Sequence, residues 1–157
     1  MDLLSLAFLC GPMVDPAVTL RIISVESGGD PYVIHDDSAG MVYRSPDLLG
    51  AAAIARSLLQ IRHRIDIGLM QINYEVWLKP TRFALARALE PCTNIRLGTI
   101  ILSANYAHAL SHSRGSQDAL NRALSTYNSG SDFASLGYAE RVLAGRVPKR
   151  FAARLAP

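Results

Sequence analysis

Glu26 is the acidic residue whose position best suits acid catalysis. Asp15 and Pro16 predict a helix start, with the carboxylate as N-cap and the proline at the first helical position. Gly28 and Gly29 end that helix, so Glu26 falls on its last turn. There the negative end of the helix dipole and the apolar neighbours both disfavour an ionised carboxylate, which raises its pKa. A general acid needs such a shift, although from spacing alone an exposed glutamate at a helix end is the more common explanation.

Histidine and cysteine are the other residues with ligand or redox chemistry. His108 and His112 are four residues apart, the spacing of two metal ligands on a helix, but the glutamate of an HExxH motif and a third ligand are missing. We therefore expect no metal site and no cofactor. Cys10 and Cys92 fit neither a CxxC pair nor a zinc site. They are either disulfide partners in an oxidising compartment or two buried free thiols.

The composition is that of a folded globular domain. Of the 157 residues, 50% are hydrophobic and 18% are charged, which is too apolar for a disordered chain. This length leaves room for one core, so we predict a single domain over residues 1–157. No apolar run approaches the roughly 20 residues needed to cross a bilayer. The net charge of +3 is carried by dispersed arginines, which disfavours a nucleic-acid-binding protein.

The residue pattern predicts mainly helices. A short N-terminal helix or signal remnant is expected at residues 1–12, and apolar alternation on either side of a polar turn predicts one small β-hairpin at residues 32–34 and 41–43. Residues 67–73 are expected to form a loop or the entrance to a helix. Helical periodicity is found at residues 16–27, 48–61, 83–89, 94–112, 117–127 and 137–143.

Four segments, in one order, resemble the motifs of lytic transglycosylases. Residues 26–34 (ESGGDPYVI) resemble ESGxNPxAI, and residues 68–73 are identical to GLMQIN. Residues 91–102 (PCTNIRLGTIIL) look like PCxNIxxGxxIL, and residues 123–130 (ALSTYNSG) are similar to ALAAYNAG. We therefore identify the chain as resembling the lysozyme-like transglycosylase superfamily. Its cysteines and the insertion after the first motif resemble the small enzymes that accompany type IV secretion and conjugation systems.

The resemblance implies a mainly α, lysozyme-like α+β fold: one helical domain with a substrate cleft and at most a small β-hairpin. Glu26 would project into the cleft as the catalytic residue. The resemblance also assigns substrate binding to Ser27, Gly68, Leu69, Met70, Gln71, Asn73, Tyr127, Asn128 and Tyr138.

Several of these residues have chemistry that suits a glycan. Gly68 would let the backbone approach a sugar closely, and the Gln71 amide can both donate to and accept from an N-acetyl group. Tyr127 offers a ring face and a hydroxyl, with a core tyrosine as the ordinary alternative. Asn73 and Asn128 can instead support loops or cap helix ends. We expect the single tryptophan, Trp77, to pack beneath the cleft loop rather than stack on a sugar.

The resemblance further implies a mechanism with one acid. A two-carboxylate hydrolase needs a second acid, for which Asp36, Asp37, Asp66 and Glu75 are the local candidates, but none lies in the matched motifs. Glu26 would instead protonate the β-1,4 bridging oxygen between N-acetylmuramic acid and N-acetylglucosamine, while the substrate's N-acetyl group stabilises the cationic sugar. Glu26 would then take the proton of the muramyl 6-hydroxyl, which gives a 1,6-anhydromuramyl product.

Location and partners also follow from the resemblance. Because Cys10 and Cys92 stand beside motifs that pack around one cleft, we expect a disulfide between them and a periplasmic protein, despite the weak N-terminal signal. The expected partners are peptidoglycan glycan strands and components of a secretion system, with no nucleic acid and no transmembrane segment. The expected role is to open the wall locally for a secretion or conjugation machine. The alternatives are a goose-type lysozyme hydrolase and a non-catalytic wall-binding scaffold.

Overall fold

The computed structural model describes residues 2–151, and helices dominate that part of the chain. Two shorter helical segments accompany the α-helices, a π-helical turn (Tyr74–Leu78) and a 3-10 turn (Lys149–Phe151). The mainly helical, lysozyme-like class expected from the sequence is confirmed. The α-helices are α1 (Leu3–Cys10), α2 (Pro16–Glu26), α3 (Leu48–Gln60), α4 (Leu85–Ala88), α5 (Pro91–Leu110), α6 (Ser116–Ser129) and α7 (Leu136–Ala144).

The helices begin and end where the side chains predict. The Oδ1 atom of Asp15 accepts from the backbone N–H of Ala17 at 2.7 Å, and that of Asp47 accepts from Gly50 at 2.8 Å. These carboxylates satisfy N–H groups that have no partner within the helix. Gly130 ends α6 in the left-handed conformation at φ +74°, a conformation that favours glycine. None of the described helices is long and apolar enough to span a membrane.

The β-sheet is larger than the expected hairpin. Strands β1 (Val33–Asp36) and β2 (Met41–Arg44) form that hairpin, but β3 (Ile65–Ile67) and β4 (Ile72–Asn73) extend it to an antiparallel sheet of order β2-β1-β3-β4. The expectation of at most a hairpin is therefore wrong. Strands of two or three residues are too short for apolar alternation to reveal them. Because β3 and β4 pair with each other, residues 68–71 form a tight connection between them.

The described residues group into two compact units. One comprises residues 26–98 and contains the sheet, α3 and α4. Its buried side chains include Ile34, Ile65, Ile67, Leu78 and Leu89. The other unit combines residues 2–25 with residues 99–151 and contains α1, α6 and α7. Its buried side chains include Leu20, Ile22, Ile23, Leu124 and Val142.

Two predictions about chain organisation concern the whole chain. The expected N-terminal helix is present as α1, although Met1 lies outside the described residues. The prediction of a single domain over residues 1–157 stays a prediction.

Candidate active site

Ser27 links Glu26 to the GLMQIN segment. Glu26 is the last residue of α2 and is half-buried. The hydroxyl of Ser27, which is only 4% exposed, donates to the carbonyl of Leu69 at 2.9 Å and accepts from the N–H of Gly29 at 3.2 Å. Both bonds constrain the chain immediately after Glu26. The serine of the first motif therefore holds the second motif in place, which is a positioning role.

The connection between β3 and β4 is a tight turn at residues 68–71. Gly68 has φ +78° and Gln71 has φ +47°, and the N–H of Gln71 donates to the carbonyl of Gly68 at 3.2 Å. The N–H of Gly68 in turn donates to the carbonyl of Val33 in β1 at 2.9 Å. A left-handed conformation is unfavourable for a residue with a Cβ atom, so Gln71 is held there by its surroundings.

The side chain of Gln71 has one unsatisfied acceptor. The residue is 8% exposed, and its Nε2 donates to the carbonyls of Gly68 at 2.7 Å and Val33 at 3.4 Å. Its Oε1 is buried and has no hydrogen-bond partner among residues 2–151. Leaving a buried acceptor unpaired is unfavourable, so this oxygen would gain a partner if the turn moved enough for a bound molecule to reach it.

Asn94 in α5 supports the turn from below. It is fully buried, and its Oδ1 accepts from the N–H of Met70 at 2.8 Å. Its Nδ2 donates to the carbonyls of Ile67 at 3.0 Å and Ala88 at 2.8 Å. Asn94 thus fixes the turn together with Ser27, and its own hydrogen-bonding groups are used in doing so.

Leu69 and Met70 lie in the core. Neither has exposed surface, so they support the turn rather than meet a glycan from solvent. Gly98 makes room for Met70, because a Cβ atom at position 98 would lie 2.8 Å from the Met70 Cβ. Substrate binding by these two side chains, implied by the resemblance, does not fit this burial.

Asn73 uses its side chain within the fold. Its Oδ1 accepts from the N–H of Val76 at 3.0 Å and caps the π-helical turn, while its Nδ2 donates to Asp66 Oδ1 at 2.7 Å. Asn73 therefore has the supporting role that was expected as the alternative to substrate binding.

Burial and the like charge of Asp37 raise the pKa of Asp66 to about 7, although the Asn73 hydrogen bond and the Arg64 charge act to lower it.

The other acids that could serve as a second catalytic carboxylate either already pair with a neighbouring side chain or are exposed. Asp36 is 1% exposed, and its Oδ2 lies 2.8 Å from His63 Nδ1. Burial acts to raise its pKa, but the hydrogen bonds from His63 and two backbone N–H groups outweigh burial and hold the pKa below its ordinary value. Glu75 pairs with Lys79 at 2.7 Å, and Asp37 is exposed.

The fourth motif lies at the end of α6, in the other unit. Tyr127 is half-buried, whereas Asn128 is exposed and its Oδ1 accepts from the Ser135 hydroxyl at 2.6 Å. The N–H of Ser135 donates to the buried Ser125 hydroxyl at 2.9 Å, so α6 holds the segment that leads into α7. Tyr138, expected to bind substrate, is 2% exposed and therefore belongs to the core.

The histidines and cysteines are accounted for separately. His112 Nε2 lies 2.7 Å from Asp132 Oδ2, and the His108 and His112 rings meet edge to face with centroids 5.0 Å apart. Residues 2–151 contain no group of three or more side chains that could hold a metal ion.

Cys10 and Cys92 are both disulfide-bonded, so the expected disulfide is confirmed and the free-thiol alternative is wrong.

Comparison with protein families tests whether the chain belongs to the family that its motifs resemble. Residues 6–135 match the family described as Transglycosylase SLT domain, which is most of the chain. The chain belongs to this family. Two curated relatives are 34% identical to this chain over the aligned residues. "Protein virB1" of Agrobacterium fabrum aligns over 140 residues, which are 85% of this chain and 54% of the relative. "Type IV secretion system protein virB1" of Brucella abortus aligns over 128 residues, 81% and 53% of the two chains.

The SLT chain spans about half the length of these curated relatives. No solved structure gives a significant match to it.

Three of the four SLT motifs meet around residues 68–71. Ser27 comes from the first motif, the turn itself from the second, and Asn94 and Gly98 from the third. Asn94 and Gly98 were not among the residues expected to form the site. Their only sequence signal was membership of the third motif, because a buried asparagine or glycine in a helix has no distinctive periodicity.

Trp77 differs from expectation. It is 41% exposed, and its neighbour Val76 is 58% exposed. Leu78, in the same π-helical turn, is only 1% exposed. The turn directs only Leu78 into the core, so the expectation that Trp77 packs beneath a loop is wrong. Its ring is therefore accessible to a ligand.

Proposed function

We propose that this chain is a peptidoglycan lytic transglycosylase, which cleaves the β-1,4 bond between N-acetylmuramic acid and N-acetylglucosamine. The observation that carries the proposal is the Ser27 to Leu69 hydrogen bond, because it joins the residue next to Glu26, the acid that opens the first motif, to the turn that bears Gln71. Membership of the SLT family supports the same activity.

Glu26 performs both proton transfers in this proposal. It first donates its proton to the bridging oxygen as the bond breaks, and then accepts the proton of the muramyl 6-hydroxyl as that oxygen attacks C1. The 1,6-anhydro ring closes without water, and Glu26 ends in its starting protonation state. The Gln71 amide orients the substrate's N-acetyl group in this proposal, and its buried Oε1 accepts the N–H of that group after the turn shifts enough to expose the oxygen.

A lysozyme-type hydrolysis is disfavoured by the state of the other acids. A second catalytic carboxylate must be ionised to act as nucleophile or base. Asp66, with a pKa of about 7, is about half protonated at neutral pH and already bonded to Asn73. Asp36 is buried against His63, and Glu75 is paired with Lys79.

Product analysis tests the proposal. Purified peptidoglycan is digested with the chain, and the released muropeptides are examined by mass spectrometry. We expect 1,6-anhydromuramyl ends, whereas reducing ends would identify a hydrolase. A chain that binds the wall but releases nothing would be a scaffold.

The proposed setting is the periplasm, during assembly of a type IV secretion system. Two observations support it. One relative is named as a type IV secretion system protein, and the disulfide suits an oxidising compartment. Local opening of the wall would let an envelope-spanning machine pass. The partners in this proposal are therefore glycan strands and secretion-system components.

A further inference from the structure

Three cationic side chains surround one open depression on the unit formed by residues 26–98. The depression has a volume of about 540 Å³ and is lined by Leu59, Arg62, Arg64, Glu75 and Lys79. The only carboxylate in this lining, Glu75, is already paired with Lys79 at 2.7 Å. The lining therefore carries a net positive charge that is not balanced within the depression.

The two arginines are available to a ligand. Arg62 and Arg64 are exposed, and their side chains form no hydrogen bond or ion pair with any residue of the described 2–151 range. Each guanidinium presents a planar fork of donors that matches a carboxylate with two parallel hydrogen bonds. Two such forks beside a lysine suit an anionic ligand with more than one carboxylate.

The backbone that carries the arginines is rigidly attached to the hairpin. The N–H of Arg64 donates to the Ser38 hydroxyl at 2.9 Å, and the carbonyl of Arg64 accepts from Asp37 at 3.0 Å. Between the arginines, His63 bonds to the buried Asp36 at 2.8 Å. The cations therefore sit on a pre-ordered loop, which reduces the entropy lost on binding.

Arg62 occupies a position that favours glycine. It has φ +61° where α3 ends, with its N–H donating to the carbonyl of Leu59 at 3.0 Å. Glycine ends helices in this conformation without steric cost, whereas arginine does not. A cation at a position unfavourable for its backbone is a reason to look for a function of its side chain.

We propose that this basic depression binds the carboxylates of the peptide stems that branch from peptidoglycan glycan strands. The inference rests on the proposed function for its choice of ligand, since stem peptides are the carboxylate-rich part of that polymer. It adds a substrate preference: strands that keep ionised stems are bound more tightly than strands whose stems are neutral.

The test measures binding without cleavage. All proteins carry Glu26→Gln, and the probes are glycan strands with acetylated amines, either with free stem carboxylates or with these converted to methylamides. The test variant is Arg62→Gln/Arg64→Gln, which removes both positive charges but keeps polar side chains and the Cβ atom at position 62. The matched control is Arg146→Gln/Lys149→Gln, which removes two exposed cations of the other unit.

We expect the test variant to raise the Kd for carboxylate strands about fivefold and to leave the Kd for methylamide strands unchanged, as for two exposed charge contacts. The control should change either Kd by less than about twofold. Equal losses on both probes, or a control that matches the test variant, would overturn the proposal.

Wild-type product analysis keeps the two proposals separate. Anhydromuramyl products together with unchanged binding in the test variant would reject only the stem site. Selective loss of binding without any products from wild type would support stem recognition and reject only the enzymatic activity.

Discussion

Asn94 lies directly beneath Gly68, so close that a Cβ atom on the glycine would overlap the Asn94 carboxamide. The same carboxamide holds the N–H of Met70 and the carbonyl of Ile67. The closeness of these two residues therefore fixes the turn that presents Gln71. Gly68 is required there both for its φ of +78° and for its missing side chain.

Gly68→Ala tests this contact. We expect it to lower the free energy of unfolding by about 3 kcal/mol, because it adds a clash with Asn94 to the cost of a left-handed alanine. Gly40→Ala is the matched control, since Gly40 has φ +64° but open space around its missing Cβ. It should cost only about 1 kcal/mol. Equal values in urea denaturation would show that Asn94 does not constrain the turn.

Glu26→Gln tests the catalytic assignment. The substitution keeps the side-chain shape and removes the titrating proton, so we expect turnover to fall at least about a hundredfold while glycan binding and folding survive. Glu140→Gln, an exposed acid on α7, serves as the control and should turn over like wild type. Near wild-type turnover in purified Glu26→Gln would show that Glu26 is not the catalytic acid.

Asp66→Asn should change how stability depends on pH. The folded pKa of about 7 exceeds the unfolded value of about 4, so the folded state binds the extra proton between these limits. The contribution of Asp66 is therefore fully present below about pH 4 and is lost as pH rises through about 7. Asparagine cannot ionise and can still accept from Asn73.

Relative to wild type, Asp66→Asn should therefore gain on the order of 4 kcal/mol between about pH 4 and pH 8, from about 1.4 kcal/mol per unit of pKa difference. Asp37→Asn removes only the neighbouring charge and should give a smaller gain of the same sign, because it lowers the pKa of Asp66. Urea denaturation across this range measures both. A difference that does not vary with pH would contradict the burial of an acid at this site.

Cleavage in heavy-oxygen water separates the two possible reactions. If Glu26 acts alone, no water oxygen enters the product, and alanine at Asp36, Asp37, Asp66 or Glu75 leaves the chemical step largely intact. Effects on folding are removed by comparing only variants with wild-type far-UV spectra. Label at the reducing end, or one of these acids proving as necessary as Glu26, would replace the transglycosylase mechanism with hydrolysis.

The disulfide should contribute to stability. Closing a loop of about 80 residues is worth roughly 4 kcal/mol in the chain-entropy description. We expect reductant to lower the urea midpoint of the wild-type chain and to have no effect on Cys10→Ala/Cys92→Ala. Thiol counting on unreduced, denatured protein should find no free thiol. An unchanged midpoint after complete reduction would show that the cross-link adds no stability.

The helices, the first hairpin and the family were predictable from local sequence. Asp15 identifies the start of α2, and Gly28 and Gly29 identify its end, because caps and turns depend on a few neighbouring residues. The position of Glu26 at the end of α2 follows from the same local rules. Its raised pKa stays a prediction, since that depends on what surrounds the carboxyl in three dimensions.

Tertiary structure decided what the motif residues do. Ser27 reaches Leu69 across 42 positions of sequence and Asn94 reaches Met70 across 24, distances over which periodicity carries no information. Burial likewise separated the core residues Leu69 and Tyr138 from the exposed Trp77. Residue type alone indicates which chemistry is available, but whether a side chain supports the backbone or faces solvent is set by packing against segments remote in the chain.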